Sequence, residues 1–257
     1  MQFLKGLETR VRGVRNQLAP VLYAGKQRYC PICNRSFRKF RKAGRAPNKR
    51  PNAVCPACSS RERDRLVFLF LQSLQDGGFD LHTRLLHVAP EPCLRTRFTE
   101  LAKGGYLSAD IYRKDVDEQF DVMSIPYPDR SFSAVFCSHV LQDVTDDEKA
   151  IAEFFRILKP GGWAILNVPL STDITIDHKK KWNGTRSKYD KRPDEYLRSY
   201  GPDFAVRFAR AGFDVRVIHR EEVASPKDFS SLGIEGPGAG EIYYGIKPTT
   251  DRANIRQ

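Results

Sequence analysis

The sequence predicts an α/β protein: a doubly wound, mostly parallel sheet with an antiparallel final strand, preceded by a small cysteine-paired module. Three observations predict it. From residue 84 onward, short apolar runs of strand length alternate with stretches of 3.6-residue periodicity, the pattern of parallel strands joined by helices. The last two apolar runs are joined by a glycine-rich loop without a helical pattern, which suits an antiparallel end. Upstream, Cys30-Pro-Ile-Cys33 and Cys55-Pro-Ala-Cys58 form two matched knuckles separated by 21 residues.

Taken in order, residues 1–25 read as a basic amphipathic helix, with Leu4, Leu7, Val11, Val14 and Leu18 at three- and four-residue steps. Docking onto the protein's own body and attachment to a partner or anionic surface are both open readings of that stripe. Residues 26–60 form the cysteine module, and residues 61–250 the α/β domain. Ser59-Ser60-Arg61-Glu62 has the spacing of a capping box and opens a helix carrying Leu66 to Leu71. Arg84–Ala89 reads as a strand, Glu91–Ala102 as a helix, and Tyr106–Asp110 as a strand ending in an acid. Ser133–Ser138 is a further strand. Thr145-Asp146-Asp147-Glu148 caps a helix whose Ile151, Phe154, Phe155 and Leu158 keep the helical period. Lys159-Pro160-Gly161-Gly162 stops it before the strand Trp163–Val168. A helix at Pro202–Ala211 is followed by strands Asp214–His219 and Glu241–Lys247.

Composition bounds the function. The 257 residues suffice for a sizeable core. No apolar run approaches the ~20 residues of a membrane-spanning helix, and the charged N-terminus lacks a secretion-signal pattern, so a cytoplasmic setting is expected. The net charge of +12 is concentrated: residues 1–65 hold 17 Lys and Arg against Glu8, Glu62 and Asp64. Such a patch favours RNA or another phosphate-bearing partner through residues 1–65, or it is a solvated surface.

Two paired thiolate knuckles at this spacing can close a tetrahedral Zn²⁺ site, so Cys30, Cys33, Cys55 and Cys58 are the expected structural zinc ligands. Disulfides are the alternative, and a cytosolic setting disfavours them. Phe37 and Phe40, interleaved with cations between the knuckles, can stack bases or form the module's core.

In a sheet of this kind the ligand sits beyond the carboxyl ends of the strands. Asp110, Asp121 and the run Cys137-Ser138-His139 all fall at that edge. A carboxylate at Asp110 can accept ribose hydroxyls, and the set together describes an adenosine pocket.

Residues 84–170 resemble a class I S-adenosylmethionine-dependent methyltransferase of the type 11-like kind. The most specific stretch is YPDRSFSAVFCSHVLQDVTDDEKAIAEFFRILKPGGWAILNVP, which is similar to the family's run from its fourth strand through the Leu-Lys-Pro-Gly-Gly turn to its fifth. The resemblance implies a Rossmann-like, seven-stranded sheet. It implies cofactor contacts at Asp110 and Ile111, adenine contacts at Asp121 and Val122, and a pocket wall that includes Cys137 and Ser138. It also implies that an N-terminal zinc module can accompany RNA methylation, as in some ribosomal RNA methyltransferases.

The chain departs from that family at its first loop, where acid-x-Gly-x-Gly-x-Gly is replaced by His87, Ala89, Glu91 and Cys93. Ala89 and Pro90 are expected to form a rigid version of the turn, with His87 beside it and Glu91 meeting the cofactor's ammonium group. A second departure is Gln142-Asp143, where many relatives carry Glu-His. A hydroxyl acceptor needs a base, and His139, Asp143 and His178 are the candidates. The insertion 171–201, with Trp182, Tyr189, Tyr196 and Tyr200, is a candidate lid or acceptor platform. Three functions stay open: methyl transfer to an O or N atom of a small or carrier-linked acceptor, RNA methylation, and a non-catalytic binding protein on the same fold.

Overall fold

The computed structural model describes residues 21–44, 49–76, 84–178 and 196–249. The stripe of Leu4 to Leu18 and the aromatic residues Trp182 and Tyr189 lie outside them. The chain divides into two compact units: the described parts of 1–79 with 92–97 and 219–240, and 80–91 with 98–218 and 241–257.

The first unit holds the cysteines. Strands β1 (Arg28–Cys30) and β2 (Arg35–Phe37) form one antiparallel hairpin, and β3 (Arg41–Ala43) and β4 (Arg50–Val54) form a second. Phe37 and Phe40 are both buried and meet edge to face at 6.1 Å, so they are the core of this unit. Helix α1 (Glu62–Asp76) follows and buries Leu66, Val67, Phe70 and Leu71. Its cap differs from the expected one. Asp64, not Glu62, returns to the helix start, accepting from Arg61 N at 2.8 Å, while Glu62 pairs with Arg50 at 2.9 Å. The unit also extends beyond 26–60. Fully buried Arg65 donates to the carbonyls of Ser60, Ala53, Leu232 and Gly233 at 2.7–3.2 Å, and Arg28 pairs with Glu235 at 2.8 Å, tying in residues 219–240.

The second unit is the sheet. Strand β5 (Leu85–Val88) leads through helix α2 (Pro92–Leu101) to β6 (Tyr106–Ala109); then come β7 (Phe132–Ser138), helix α3 (Asp147–Ile157) and β8 (Leu158–Asn167). The two-residue strands β9 (Ile176–Asp177) and β10 (Arg198–Ser199) pair at the base of the insertion. Helix α4 (Phe204–Arg210), β11 (Asp214–Ile218) and β12 (Ile242–Ile246) complete it. The order across the sheet is β11-β12-β8-β7-β5-β6. Strands β5 to β8 are parallel, and β12 runs antiparallel to both neighbours, although its connection from β11 carries two short helices, Arg220–Val223 and Phe229–Leu232, where a helix-free loop was expected.

Among the described residues the sheet has six strands, not seven. The edge beyond β6 carries only a single parallel bridge, Ala109 to Glu118. Residues 110–119 are too polar to supply a further buried strand: four acids and two bases are among the ten. The Lys-Pro-Gly-Gly turn also differs from its expected role as a plain helix stop. It is already paired, with Gly161 N donating to Lys247 O and Lys247 N to Gly162 O, both at 2.8 Å. A Cβ at Gly162 would lie 2.8 Å from Lys159 O and 2.9 Å from Ser133 O, so glycine is required there. Asp146 caps α3 by accepting from Lys149 N at 2.9 Å.

Candidate cofactor site and cysteine centre

The turn after β5 carries no glycine yet holds a glycine conformation. Ala89 has φ of 49°, in the left-handed region that an L side chain enters at a cost of about 1–2 kcal/mol. Its surroundings over-determine it. Ala89 N donates to Ala109 O at 2.7 Å, and Arg113 Nη1 donates to Pro90 O at 2.6 Å. Beneath the turn, His87 is fully buried among Phe98, Tyr106 and Phe136, with one ring nitrogen 3.1 Å from Tyr106 Oη and the other 3.0 Å from Glu91 Oε2. Cys93, by contrast, belongs to the first unit, where its thiol donates to Asp64.

Asp110 follows β6 and is 6% exposed. Its Oδ1 accepts from Tyr112 N at 2.8 Å and Arg113 N at 3.1 Å, an Asx-type turn that fixes the carboxylate. Its Oδ2 has no hydrogen-bond partner among the described residues. Asp121 is fixed similarly, accepting from Met123 N at 2.9 Å. One cavity joins these turns, and Ala89, Asp110, Ile111, Asp121, Val122 and Asp143 line it. Val88, Phe120, Met123, Val140 and Val144 supply most of the remaining wall, so the cavity is largely apolar with three carboxylates among its lining.

Other candidates stand apart from that lining. Cys137 and Ser138 are buried within β7, and His139 follows with φ of 55°, its N–H donating to Asn167 O at 2.8 Å. His178 sits beside the β9–β10 pair, its Nε2 2.8 Å from Ser199 Oγ. Asp143 is the one candidate base on the cavity, and Gln142 Nε2 reaches it at 3.3 Å while donating to His139 O at 2.6 Å. Sequence reading passed over Tyr112, Met123 and Thr145 in this wall, and Arg113 as the brace on the turn. Apolar wall residues resemble core in a sequence, and Arg113 is one cation in a charged loop.

In the first unit the four expected cysteines converge. Their Sγ atoms all lie within 4.8 Å of one another, with Cys30–Cys58 at 3.6 Å and Cys33–Cys55 at 3.7 Å. A disulfide needs ~2.05 Å, and all four are free thiols. Tetrahedral ligands at the ~2.3 Å zinc–sulfur distance sit about 3.8 Å apart, which matches these separations. Hydrogen bonds from Cys33, Cys55 and Cys58 draw the Cys30 thiol well below its ordinary range, while its neighbours push Cys55 well above. Ser60 Oγ lies 3.3 Å from both Cys30 and Cys58, and Arg65 in turn binds Ser60.

Residues 109–166 match the family model for a methyltransferase domain. A ubiquinone/menaquinone biosynthesis C-methyltransferase of Cronobacter sakazakii is 46% identical over 44 residues, covering 17% of this chain and 18% of that protein. A demethylmenaquinone methyltransferase of Deinococcus radiodurans is 41% identical over 49 residues, 19% of this chain and 20% of that protein. The matched segments thus span at most a fifth of these relatives. A solved S-adenosylmethionine-dependent methyltransferase from Mesorhizobium loti aligns over 69% of this chain and 97% of its own at 13% identity, with a TM-score of 0.47. Strand order and family match define a class: the second unit is a Rossmann-like, mostly parallel sheet, and its residues 109–166 are similar to a methyltransferase domain.

Proposed function

We propose that the protein is an S-adenosylmethionine-dependent methyltransferase acting on an O or N atom of a small or carrier-linked acceptor. The observation that carries this reading is the largely apolar cavity at the carboxyl ends of β5 and β6, with Asp110, whose Oδ2 is open, in its lining. That donor set fits the nucleoside: Asp110 accepts from the ribose hydroxyls, Asp121 and Val122 hold the adenine edge, and Ile111 and Phe120 cover its faces. The braced Ala89–Glu91 turn bounds the amino-acid end. When bound, the cofactor supplies an electrophilic methyl on a sulfonium. The chain aligns the acceptor with it and excludes water by the apolar walls of Val88, Met123 and Val140. Asp143, on the same cavity, takes the acceptor's proton. The Cronobacter relative methylates carbon by name, and the segments that it and the Deinococcus protein share with this chain reach only a small part of their length.

The four thiolates hold one structural zinc ion; the tetrahedral sulfur separations support this. RNA as acceptor draws support only from the basic charge of the cysteine unit, since Phe37 and Phe40 are core residues and unavailable to bases.

The test is transfer of label from methyl-labelled S-adenosylmethionine to fractionated cell extract. Label in the small-molecule or lipid fraction is expected. Label in RNA would replace the acceptor class, and cofactor binding without label anywhere would favour the non-catalytic alternative.

A further inference from the structure

The first unit carries charge and exposed apolar surface that the methyl-transfer reading does not use. No Asp or Glu occurs between Glu8 and Glu62. Lys26, Arg35, Arg38, Lys39, Lys42 and Lys49 are all exposed, and none has an ion-pair partner among the described residues. Cations standing unpaired on one small unit are matched by an anionic surface rather than by their own chain.

Their placement narrows what that surface is. In the β1–β2 register Tyr29 faces Ser36, so Asn34, Ser36 and Arg38 share its side of the hairpin, and all four are exposed. Tyr29 is 38% exposed, with its hydroxyl donating to Asn34 Oδ1 at 2.8 Å. Residues 21–25 fold onto the same side. Arg38 N donates to Tyr23 O at 2.8 Å, and Gly25 packs so closely on Arg38 that a Cβ there would come within 2.6 Å of it. This brings Val21 and Leu22, 75% and 53% exposed, beside Arg38 and Lys39.

Two open aliphatic side chains, one tyrosine and a ring of unpaired cations are the composition of a bilayer-interface surface. Apolar groups enter the acyl boundary, tyrosine sits at the headgroup level, and lysine and arginine meet anionic headgroups. A single-stranded nucleic acid would use stacking aromatics; valine and leucine cannot stack, and Phe37 and Phe40 are core. We infer that the cysteine unit docks on an anionic phospholipid surface through Val21, Leu22, Tyr29, Arg38 and Lys39. This goes beyond methyl transfer and does not depend on it.

The full chain, with its zinc, is sedimented with vesicles of phosphatidylcholine alone or mixed with phosphatidylglycerol, without cofactor or acceptor. Binding to the mixed vesicles only is expected, weakening as salt rises. R38Q and K39Q should each weaken it roughly fivefold, the worth of one cation near such a surface. V21S/L22S should remove the part of the binding that survives high salt. All four positions are exposed, so zinc content and circular dichroism should be unchanged. Equal binding to neutral vesicles, no binding to either, or binding to single-stranded RNA but not to anionic vesicles would overturn the inference.

Discussion

Ala89 shows how a turn can keep glycine geometry without glycine. Its left-handed φ is sustained by Arg113 on Pro90 O, by Ala109 O, and by the His87–Glu91 pair below. Ala89→Gly relieves the strain and loses one buried methyl, so stability should change by less than about 1 kcal/mol. Ala89→Val places a β-branched residue in the same region and should cost about 2 kcal/mol in urea unfolding. Equal tolerance of both would contradict the left-handed turn. Asp110 and Asp121 were legible in the sequence because a carboxylate at a strand end has a local signature. The glycine-type φ of Ala89 was not, because Ala109 and Arg113, which brace the turn, lie 20 or more positions away.

At the scale of elements, the foot of the insertion is held by charge. Asp147, at the first turn of α3 and 1% exposed, accepts from Tyr200 Oη at 2.7 Å and pairs with Arg198 at 3.0 Å and Arg207 at 2.6 Å. Burial, with the Asp147 carboxylate beside it, pushes the Tyr200 hydroxyl above its ordinary range, so it remains the donor. Asp147→Ala leaves the buried Arg198 with the more exposed Asp177 as its remaining acid and should lower stability by about 3 kcal/mol in the same assay. A second element-level device is Glu153, which accepts from Ile125 N at 2.9 Å and pairs with Arg156 at 2.7 Å. The hydrogen bond from Arg156 holds its carboxyl below the usual range. Its contribution is therefore complete above the unfolded carboxyl value, near 4.3, and is lost as pH falls through the lower folded value. Glu153→Gln should flatten the acid limb of the stability curve; an unchanged limb would remove that role. Helices and parallel strands were legible because their periods are local. The missing seventh strand was not, because only its polar composition argued against the resemblance. The capping role of Asp64 was hidden by Glu62, whose spacing from Ser59 imitates it.

The whole molecule is a cysteine unit and a Rossmann-like domain with different sources of stability. The first has a small core around Phe37, Phe40 and Ile32, and its four clustered thiols are placed to hold a cation. Removing zinc with a chelator should unfold that unit, expose four reactive thiols and release about one ion per chain; substantially less zinc with all four thiols reactive would refute the four-thiolate site. Among the described residues no helix is long and apolar enough to cross a membrane. The second unit rests on the core beneath β5, β7 and β8, with Phe132, Phe154 and Leu166 fully buried, and it presents the cavity on which the proposed chemistry depends. Calorimetric titration of the folded chain with S-adenosylmethionine and its demethylated product, beside Asp110→Ala, tests that cavity most directly. Stoichiometric binding by the native chain, weakened at least about tenfold in Asp110→Ala, is the expected result, since hydrogen bonds to a charged group are worth about 1.5–3 kcal/mol. No binding to the native chain, or equal affinity in both, would contradict it.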